Sequence, residues 1–446
     1  MTVARAGDAL TGSPGFTGRL AGDRAALSAF VRSAEAVLDA LPPGPERSAA
    51  QRARAEEAHR ECRRARKRFM AAHAEEVYAE LAGGADPSRL DGLVFSAAEA
   101  FPGLVPTRAQ MAEERRHVQL HREGREIDQA IFFAGVLRAP GAGTSLVRSM
   151  LRPTPRAVGL LPEFRAKGRL DLGVVEIERR DGAAHLTMNN RTCLNAEDDR
   201  LTGDMETAVD LALLDGAVRV GVLRGGPMTH PKYRGRRVFS AGINLRRLRA
   251  GRITFVDFLL GRELGYISKL VRGLAADGEG EVEQVVKPWL GAVDSFAIGG
   301  GMQLLLVFDR VVAESDAYFS LPAAQEGIVP GAGALRLGRL TGGRLARQII
   351  LGGRRVSARD PEARSLCDEV VDGAEMDEAV ERGVRLLDDP AVVANRVMLN
   401  LAEEPIDRFR LYMADFTLLQ ARRIYDESVI ATLERFGKGR HGDDHA

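Results

Sequence analysis

Arg-Val-Phe-Ser-Ala-Gly-Ile at residues 237–243 and Phe-Ala-Ile-Gly-Gly-Gly-Met-Gln at residues 296–303 are the two stretches that decide the fold of this chain. Each begins as an apolar, strand-like run and ends in small residues, where a backbone can approach a ligand closely and present its N–H groups. Two such N–H groups converging on one oxygen form an oxyanion hole, which stabilises a thioester carbonyl as it becomes an enolate. The pattern therefore predicts a site for acyl-thioester chemistry.

These stretches belong to a longer ordered series of motifs. The series comprises Asn190-Arg191 before Leu194-Asn195-Ala196, then 239–243, Lys287-Pro288 before 299–301, 309–313 and, within 319–333, Pro330-Gly331-Ala332-Gly333. Over about residues 173–370 it resembles the crotonase (enoyl-CoA hydratase/isomerase) superfamily. The resemblance implies an α/β fold, a spiral of ββα units, and oxyanion donors at the N–H groups of Ile243 and Gly300, the latter opening a helix whose dipole adds to the hydrogen bond. It also implies substrate contacts from the neighbours of Ile243, namely Ala241, Gly242 and Asn244.

Composition bounds the class of protein. The 446 residues carry 63 basic and 62 acidic side chains, which argues against a dedicated nucleic-acid binder. Three scattered cysteines indicate a reducing, cytoplasmic setting without a disulfide framework. We expect no membrane association, because no apolar run approaches the ~20 residues of a spanning helix and residues 1–8 lack the apolar core of a secretory signal.

The local patterns predict three parts. An N-terminal helical domain is expected over 1–165, with a break at 41–45 in the helical stretch 20–85, and Pro153, Pro155 and Pro162 are interpreted as a linker. The crotonase-like core is expected over 166–370, with a hairpin around Asp181-Gly182 and a helix over 195–214. A C-terminal helical segment is expected over 371–446, with helices at 375–388 and 405–436.

Two expected acids are absent. Hydratases of the family carry one Glu two residues after the glycine triplet and another in the loop that here begins at Phe319, but this chain has Gln303 and Ala323 at those positions. A neutral amide cannot act as a general base, so ordinary hydratase chemistry is not expected. Glu326, three residues beyond the second position, has either a catalytic or a structural role.

The loop 225–237 precedes the first donor strand and is basic. Lys232, Arg234, Arg236 and Arg237 are either partners for the phosphates of coenzyme A or part of a solvated loop. Arg191 lies where the family contacts the nucleotide. We expect neither a metal nor an organic cofactor, because the histidines and cysteines have no ligand spacing and no dinucleotide fingerprint follows a strand.

Within the family the chain is most similar to members that oxygenate an aryl-acetyl-CoA thioester. The similarity rests on the long N-terminal helical part, the His230-Pro231-Lys232-Tyr233 loop, Gln303, and Arg262 on a following helix. It implies a metal- and cofactor-independent dioxygenase of glycopeptide-antibiotic biosynthesis that converts 3,5-dihydroxyphenylacetyl-CoA and O₂ to 3,5-dihydroxyphenylglyoxylate and CoA, with the glyoxylate feeding 3,5-dihydroxyphenylglycine. An acidic α-carbon would give a carbanion that passes an electron to O₂, and the peroxide would expel CoA.

The same similarity implies roles for individual residues. Glu197 and Arg262 would contact the dihydroxyphenyl ring, the loop 230–233 would contact the substrate, and Gln303 would lie against the reacting carbon or the peroxide. Apolar side chains near the site would hold O₂ or simply pack in the core: Phe296, Ile298, Leu304 and Ile328. The group that takes the first proton stays open.

Two other classes of function are compatible with the sequence. One is an acyl-CoA hydrolase or isomerase of the same fold, and the other is a non-catalytic scaffold that could bind RNA. Family resemblance also implies trimers stacked into hexamers. The apolar residues Phe409, Tyr412, Met413, Phe416 and Leu419 recur at helical spacing in 405–436, either for association or for packing on their own subunit.

Overall fold

The computed structural model describes residues 13–83, 89–277 and 282–438, and the chain divides into two compact units, Met1–Leu146 and Val147–Ala446. The division falls earlier than the boundary that we expected at residue 165, because the segment that follows Leu146 belongs to the second unit. The predicted ends of the helical stretches at residues 84–85 and the last eight residues of the predicted C-terminal segment lie outside the described residues, as do 1–12 and 278–281.

The first unit is helical, as predicted. Its helices are α1 (Leu20–Asp39), α2 (Ala49–Ala82), α3 (Leu90–Ala100), α4 (Arg108–Glu114) and α5 (Arg125–Arg138), followed by α6 (Pro140–Met150) at its end. The predicted break between α1 and α2 is present as a 3₁₀ turn, Gly44–Glu46. Asp128 is buried on α5 and pairs with Arg66 at 2.9 Å and Arg63 at 3.2 Å, so α2 contributes cations as well as apolar side chains to the interior.

In its described residues the second unit is an α/β structure with twelve strands. The strands are β1 (Arg169–Asp171), β2 (Val175–Arg180), β3 (Ala183–Met188), β4 (Val220–Gly225), β5 (Leu274–Asp277), β6 (Val282–Val285), β7 (Trp289–Val293), β8 (Phe296–Ile298), β9 (Arg310–Glu314), β10 (Tyr318–Ser320), β11 (Val356–Ser357) and β12 (Glu369–Val371). A seven-stranded sheet has the order β1-β2-β3-β4-β7-β9-β12, a three-stranded sheet has the order β11-β10-β8, and β5 pairs with β6. The predicted hairpin is confirmed: Asp181 and Gly182 have φ of 51° and 79°, as a two-residue turn between twisted strands requires.

Helices cover the sheets and continue to the C-terminal end of the described chain. They are α7 (Pro155–Lys167), α8 (Asp199–Leu214), α9 (Leu245–Arg249), α10 (Gly261–Leu264), α11 (Tyr266–Arg272), α12 (Gly300–Leu305), α13 (Ala323–Glu326), α14 (Gly333–Ile350), α15 (Met376–Leu387), α16 (Pro390–Glu403), α17 (Ile406–Arg423) and α18 (Glu427–Lys438). A π-helical segment, Phe255–Leu260, leads into α10. No single helix in the described part of the chain is long and apolar enough to cross a membrane, and only the bent pair Arg125–Arg138 and Pro140–Lys167 passes that test by length and composition.

Both faces of the large sheet are buried, because side chains alternate along each parallel strand. Val220 and Val222 of β4 join Leu290 of β7 in a core closed by Met376 and other residues of α15. The intervening Leu223 belongs to the larger core on the opposite face. The sheet thus separates two apolar layers.

Two sequence predictions fail here. The interpretation of the prolines as a linker is wrong in part. Pro155 opens α7, where the N–H groups of the first turn have no intrahelical partner in any case, and Pro162 lies inside the same helix. The helix expected from Asn195 begins only at Asp199, because Asn195 has a positive φ of 54° and Asp198 caps the helix. The helix α16 was not predicted.

A buried cation joins α8 to α11. The Lys269 ammonium has no exposed side-chain surface and lies 2.6 Å from Asp210 and 2.9 Å from Glu206. The backbone N–H of Thr154 also donates to Asp210, at 2.7 Å. Removal of the lysine would therefore leave two carboxylates without their cation in the interior of this unit.

We expect Lys269→Met to lower the free energy of unfolding by about 3 kcal/mol or more, because breaking a buried pair leaves an uncompensated charge. The measurement is urea unfolding followed by far-ultraviolet circular dichroism. The matched control is Lys167→Met, whose ammonium pairs with Glu163 at 2.7 Å on the surface of α7 and should change the free energy by less than about 0.5 kcal/mol. Equal effects of the two substitutions would contradict the assignment.

Candidate active site

The two motif stretches meet at one point of the second unit. Ser240 forms a parallel bridge with Ala297 of β8, and Ile298 donates its backbone N–H to the Ser240 carbonyl at 2.9 Å. The buried Ser240 hydroxyl donates to the carbonyl of Asn195 and accepts from the N–H of Gly242, both at 3.1 Å. These bonds hold the end of the first stretch against the start of the glycine triplet.

The peptide groups on both sides of Ile243 are fixed by Glu197. The N–H of Glu197 donates to the Gly242 carbonyl at 2.7 Å, and the N–H of Asn244 donates to the Glu197 carbonyl at 2.8 Å. Ile243 and Gly300 line the same cavity. In the described ranges neither of their backbone N–H groups donates to a protein acceptor, so both are available to a ligand oxygen.

The cavity that these donors line has a volume of about 50 Å³. It offers room for a few water-sized molecules, so a larger ligand enters only when the surrounding side chains move. Its walls come from seven segments of the second unit: Glu197, Ile243, Phe258, Leu259, Arg262, Glu263, Gly299, Gly300, Gln303, Leu321, Ala323, Glu326, Ile328, Val329, Pro330, Gly331, Phe416 and Gln420. A larger groove, about 620 Å³ between α14 and α16, contains none of the predicted site residues.

Arg262 is the buried cation of this cavity, with 4% of its surface exposed. Its Nε donates to Glu197 Oε2, and its Nη2 donates to Glu197 Oε1 at 3.2 Å and to the Gly300 carbonyl at 2.8 Å. Its Nη1 donates to Glu263 at 2.8 Å and to Gln303 Oε1 at 3.1 Å. A guanidinium has five N–H donors, so these bonds use every one. Burial on its own would lower the pKa of Arg262. Glu197 and the other nearby groups outweigh this effect, so the pKa is raised above its ordinary value and the guanidinium stays charged.

Glu263, which sequence reasoning missed, connects Arg262 to the loop before α14. Its Oε2 accepts from the backbone N–H of Ala332 at 3.1 Å and lies 3.9 Å from the Arg336 guanidinium. Gly331 has a φ of +42°, and a Cβ there would overlap with Glu263 Oε1 and lie 2.8 Å from Gln303 Oε1. Only glycine therefore fits between the loop and these two side chains.

Gln303 presents its amide in one orientation. Because a guanidinium can only donate, the atom facing Arg262 must be the amide oxygen. The Gln303 Nε2 group has no acceptor among the described residues. This leaves an N–H₂ donor, and no basic atom, on the wall of the cavity.

Glu326 stands apart from the two other carboxylates of the cavity. No cation or hydrogen-bond donor contacts its side chain within the described ranges. Burial alone raises its pKa to about 7. The sequence did not align Glu326 with either acid of the family, but the fold brings it to the same cavity as Gly300 and Gln303.

The helix α17 covers the cavity from the C-terminal part of the chain. Gln420 accepts from the N–H of Val329 at 2.7 Å, Tyr412 donates to the Gly331 carbonyl at 2.8 Å, and Arg423 donates to the Gly327 carbonyl at 2.7 Å. Phe416 is buried against the same loop, whereas Leu419 is 53% exposed. Most of the apolar face that could have served association therefore packs within this subunit.

Comparison with known proteins places this site in a family. The family model described as enoyl-CoA hydratase/isomerase matches residues 178–408, just over half of the chain. The chain belongs to the crotonase family. A (3,5-dihydroxyphenyl)acetyl-CoA 1,2-dioxygenase of Amycolatopsis orientalis is 59% identical over 418 residues, which cover 94% of this chain and 96% of that protein.

More distant relatives match about three fifths of this chain. Mitochondrial enoyl-CoA hydratase of Pongo abelii is 27% identical over 65% of this chain and 91% of its own. The solved structure of OdaA from Pseudomonas aeruginosa, 24% identical, superposes with a TM-score of 0.50 over 59% of this chain and 99% of its own. It shows the same crotonase fold, which confirms the predicted α/β architecture.

Several residues predicted from the family do not line this cavity. Arg191 is exposed and donates to Asn189 at 3.3 Å, outside the cavity. Pro231–Tyr233 form a 3₁₀ turn that, like His230 before it, does not line the cavity, and Tyr233 packs edge-on against Phe296. Asn244 accepts from the N–H of Arg247 and so caps α9. Ala241 and Gly242 shape the donor loop without lining the cavity.

The basic loop is partly committed to the protein itself. Arg236 pairs with Asp316 at 2.9 Å, and Arg237 donates to the Gly225 carbonyl at 3.0 Å. Lys232 and Arg234 are exposed, and within the described chain neither forms an ion pair. Of the four cations considered for CoA phosphates, these two remain free to bind an anion.

The apolar residues expected at the site are only partly there. Ile328 lines the cavity, but Phe296 and Ile298 belong to a separate cluster with Met228 and Val238, and Leu304 belongs to the main core. The cavity instead uses apolar side chains that the sequence did not assign to the site: Phe258, Leu259, Leu321 and Phe416. Within the described ranges no group of three or more His, Cys, Asp or Glu side chains is placed to hold a metal.

We expect Gly331→Ala to destabilise the protein by about 1–3 kcal/mol, because the new methyl group meets Glu263 at a backbone angle that favours glycine. The matched control is Gly338→Ala in α14, where a Cβ would meet no atom within 4 Å. That substitution should leave stability unchanged or raise it by up to ~1 kcal/mol. Unfolding midpoints of both variants decide the matter, and a neutral Gly331→Ala would refute the packing described for this loop.

Proposed function

We propose that the chain is a dioxygenase that converts 3,5-dihydroxyphenylacetyl-CoA and O₂ to 3,5-dihydroxyphenylglyoxylate and CoA. Both oxygen atoms enter the glyoxylate, one as the ketone and one in the carboxylate. The two α-hydrogens of the thioester leave as protons, one of which balances the released thiolate. The reaction therefore needs no external reductant.

The observation that carries this proposal is the 59% identity to the Amycolatopsis enzyme over 94% of this chain. The match necessarily extends beyond residues 178–408, into parts that the general family model does not cover. Gln303 and Ala323 in place of two acids support it further, because the cavity lacks the pair of proton shuttles that hydration would use at those positions.

The backbone donors suit the first step. The free N–H groups of Ile243 and Gly300 would bind the thioester oxygen and stabilise the enolate formed when the α-carbon loses a proton. The α-carbon is acidic because it is both benzylic and adjacent to the thioester. The enolate gives one electron to O₂, and the resulting substrate radical and superoxide combine to an α-peroxide, which attacks the thioester carbonyl and displaces CoA. Loss of the second α-proton then breaks the O–O bond, which leaves one oxygen as the ketone and the other in the carboxylate.

Gln303 would act as a hydrogen-bond donor in this sequence. Its oxygen is held by Arg262, so its Nε2 group can donate to the peroxide. An amide in this place cannot return a proton to the carbanion. The carbanion would then persist long enough to react with O₂.

The carboxylates of Glu197 and Glu263 in the cavity wall would recognise the dihydroxyphenyl ring. Because all donors of Arg262 are used within the protein, the ring hydroxyls would donate to Glu197 or Glu263 instead. Arg262 would hold both carboxylates in position. This changes the direct ring contact that the family resemblance implied for Arg262.

Three further statements belong to the same proposal. Lys232 and Arg234 would bind CoA phosphates, with Arg191 as an additional exposed cation. The product would serve the biosynthesis of glycopeptide antibiotics. The enzyme would work in the cytoplasm as a trimer or a hexamer, without metal or organic cofactor.

The test is oxygen consumption by purified, chelator-treated protein with 3,5-dihydroxyphenylacetyl-CoA. We expect one O₂ consumed for each CoA released, and two labelled atoms in the glyoxylate from ¹⁸O₂. Release of CoA without oxygen uptake would identify a hydrolase. Loss of turnover on removal of a stoichiometric metal would contradict cofactor-independent chemistry.

We expect Gln303→Glu to lower oxygen uptake by ~10-fold or more. The new carboxylate places negative charge beside the developing enolate and removes the amide donor. Uptake should be measured together with exchange of the α-hydrogens from D₂O, which should be retained or increased. Unchanged uptake would show that Gln303 lies away from the reacting carbon.

A further inference from the structure

We infer that Glu326 is the general base that removes the α-proton of the thioester. The inference rests on the proposed function for the identity of the substrate, but the proton transfer itself precedes any reaction with oxygen. The α C–H bond breaks, its electron pair remains on the substrate as the enolate, and the proton forms an O–H bond with the Glu326 carboxylate. That proton later balances the CoA thiolate.

The three carboxylates that line the cavity differ in the partners that they bind. Glu197 pairs with Arg262 through two N–H donors, and Glu263 pairs with Arg262 at 2.8 Å and accepts from Ala332. The oxygens of both carboxylates are therefore already bound by donors within the protein. Glu326, among the described residues, has no cation and no donor to stabilise its charge.

Glu326 lies among mainly apolar residues of the cavity wall. It ends α13 between Ala323 and Ile328, whose side chains line the cavity with it. Phe416 and Gln420 face the cavity from α17, and the amide oxygen of Gln420 is committed to the N–H of Val329. Glu326 is half-buried and these neighbours offer its carboxylate no donor, so the carboxylate is less well solvated than that of an exposed glutamate and is a better proton acceptor.

The nearest cation of α17 does not neutralise it. The Arg423 guanidinium donates to the Gly327 carbonyl at 2.7 Å and to Ser428 at 3.0 Å, and it pairs with Asp426 at 3.1 Å. Arg262 is the cation within the cavity wall, and its donors are fully used. Glu326 accordingly keeps a pKa of about 7, near the value at which a base works best in neutral solution.

The site also contains the other parts that proton abstraction requires. The free N–H groups of Ile243 and Gly300 lie on the same cavity and would accept the charge that the proton leaves behind. The family position for a second acid is Ala323, one turn earlier on α13. The Glu326 carboxylate would therefore approach the substrate from the helix that carries the family's second acid, but from the residue that ends this helix and not from the residue that begins it.

The experiment measures exchange of the α-hydrogens of 3,5-dihydroxyphenylacetyl-CoA with D₂O in the absence of oxygen. We expect Glu326→Gln to slow exchange by ~10²-fold or more while the KM for the thioester changes little. Glu326→Asp should recover part of the rate. The matched control is Glu362→Gln, which removes a surface carboxylate paired with Arg354 and should leave exchange unchanged.

The pH profile provides a readout that does not depend on a variant. Exchange by the wild-type protein should rise through pH about 7 as Glu326 ionises, and this limb should be absent in Glu326→Gln. A profile that is flat from pH 5.5 to 8.5, exchange within threefold of wild type in Glu326→Gln, or a wild-type protein that exchanges no α-hydrogens would each overturn the inference. Exchange that depends on Glu326 without oxygen uptake would support it while refuting the dioxygenase.

Discussion

The cavity depends on one saturated cation. Arg262 is buried, and its five donors bind the carboxylate of the adjacent Glu263 and three groups from distant segments: the Glu197 carboxylate, the Gln303 amide oxygen and the Gly300 carbonyl. A buried guanidinium is tolerated only when its charge and its hydrogen-bonding capacity are satisfied. Glu197, Glu263, Gln303 and the Gly300 carbonyl are thus held in mutual register by a single side chain.

The charge pattern continues beyond the cavity. Glu263 lies 3.9 Å from Arg336, which binds Glu404 at 2.8 Å, and Glu404 in turn binds Arg272 at 2.9 Å. Burial on its own would raise the pKa of Glu404. Arg336 and Arg272 outweigh this effect and lower the pKa to about 2. Alternating charges therefore link the reactive region to the end of α16, and they leave Glu326 as the carboxylate of the cavity outside this chain of pairs.

Local features of the fold were predictable from sequence, but long-range contacts were not. Asp181-Gly182 specifies its hairpin and the glycine triplet marks the start of α12 because both depend on the backbone freedom of a few adjacent residues. Phe296 was misplaced because side chains alternate along β8, and Leu304 because one step along α12 turns a side chain away from that of Gln303. Glu263 could have been suspected from its position beside Arg262. Phe416 was recognised only as part of an apolar helical face and Gln420 gave no local signal, since their places in the cavity wall arise from packing between distant parts of the chain.

Because α17 (Ile406–Arg423) follows the other cavity segments in the chain, the cavity is completed late in synthesis. Domains generally acquire structure from the N-terminus during translation, yet Phe416 and Gln420 close a cavity whose other walls are synthesised well before them. Until α17 emerges from the ribosome, the loop around Gly331 lacks its Tyr412 and Gln420 partners and the charged wall faces water. A chain that lacks α17 would therefore present the donor groups in a cavity that is still open to water, so the site would be complete only after α17 has been made.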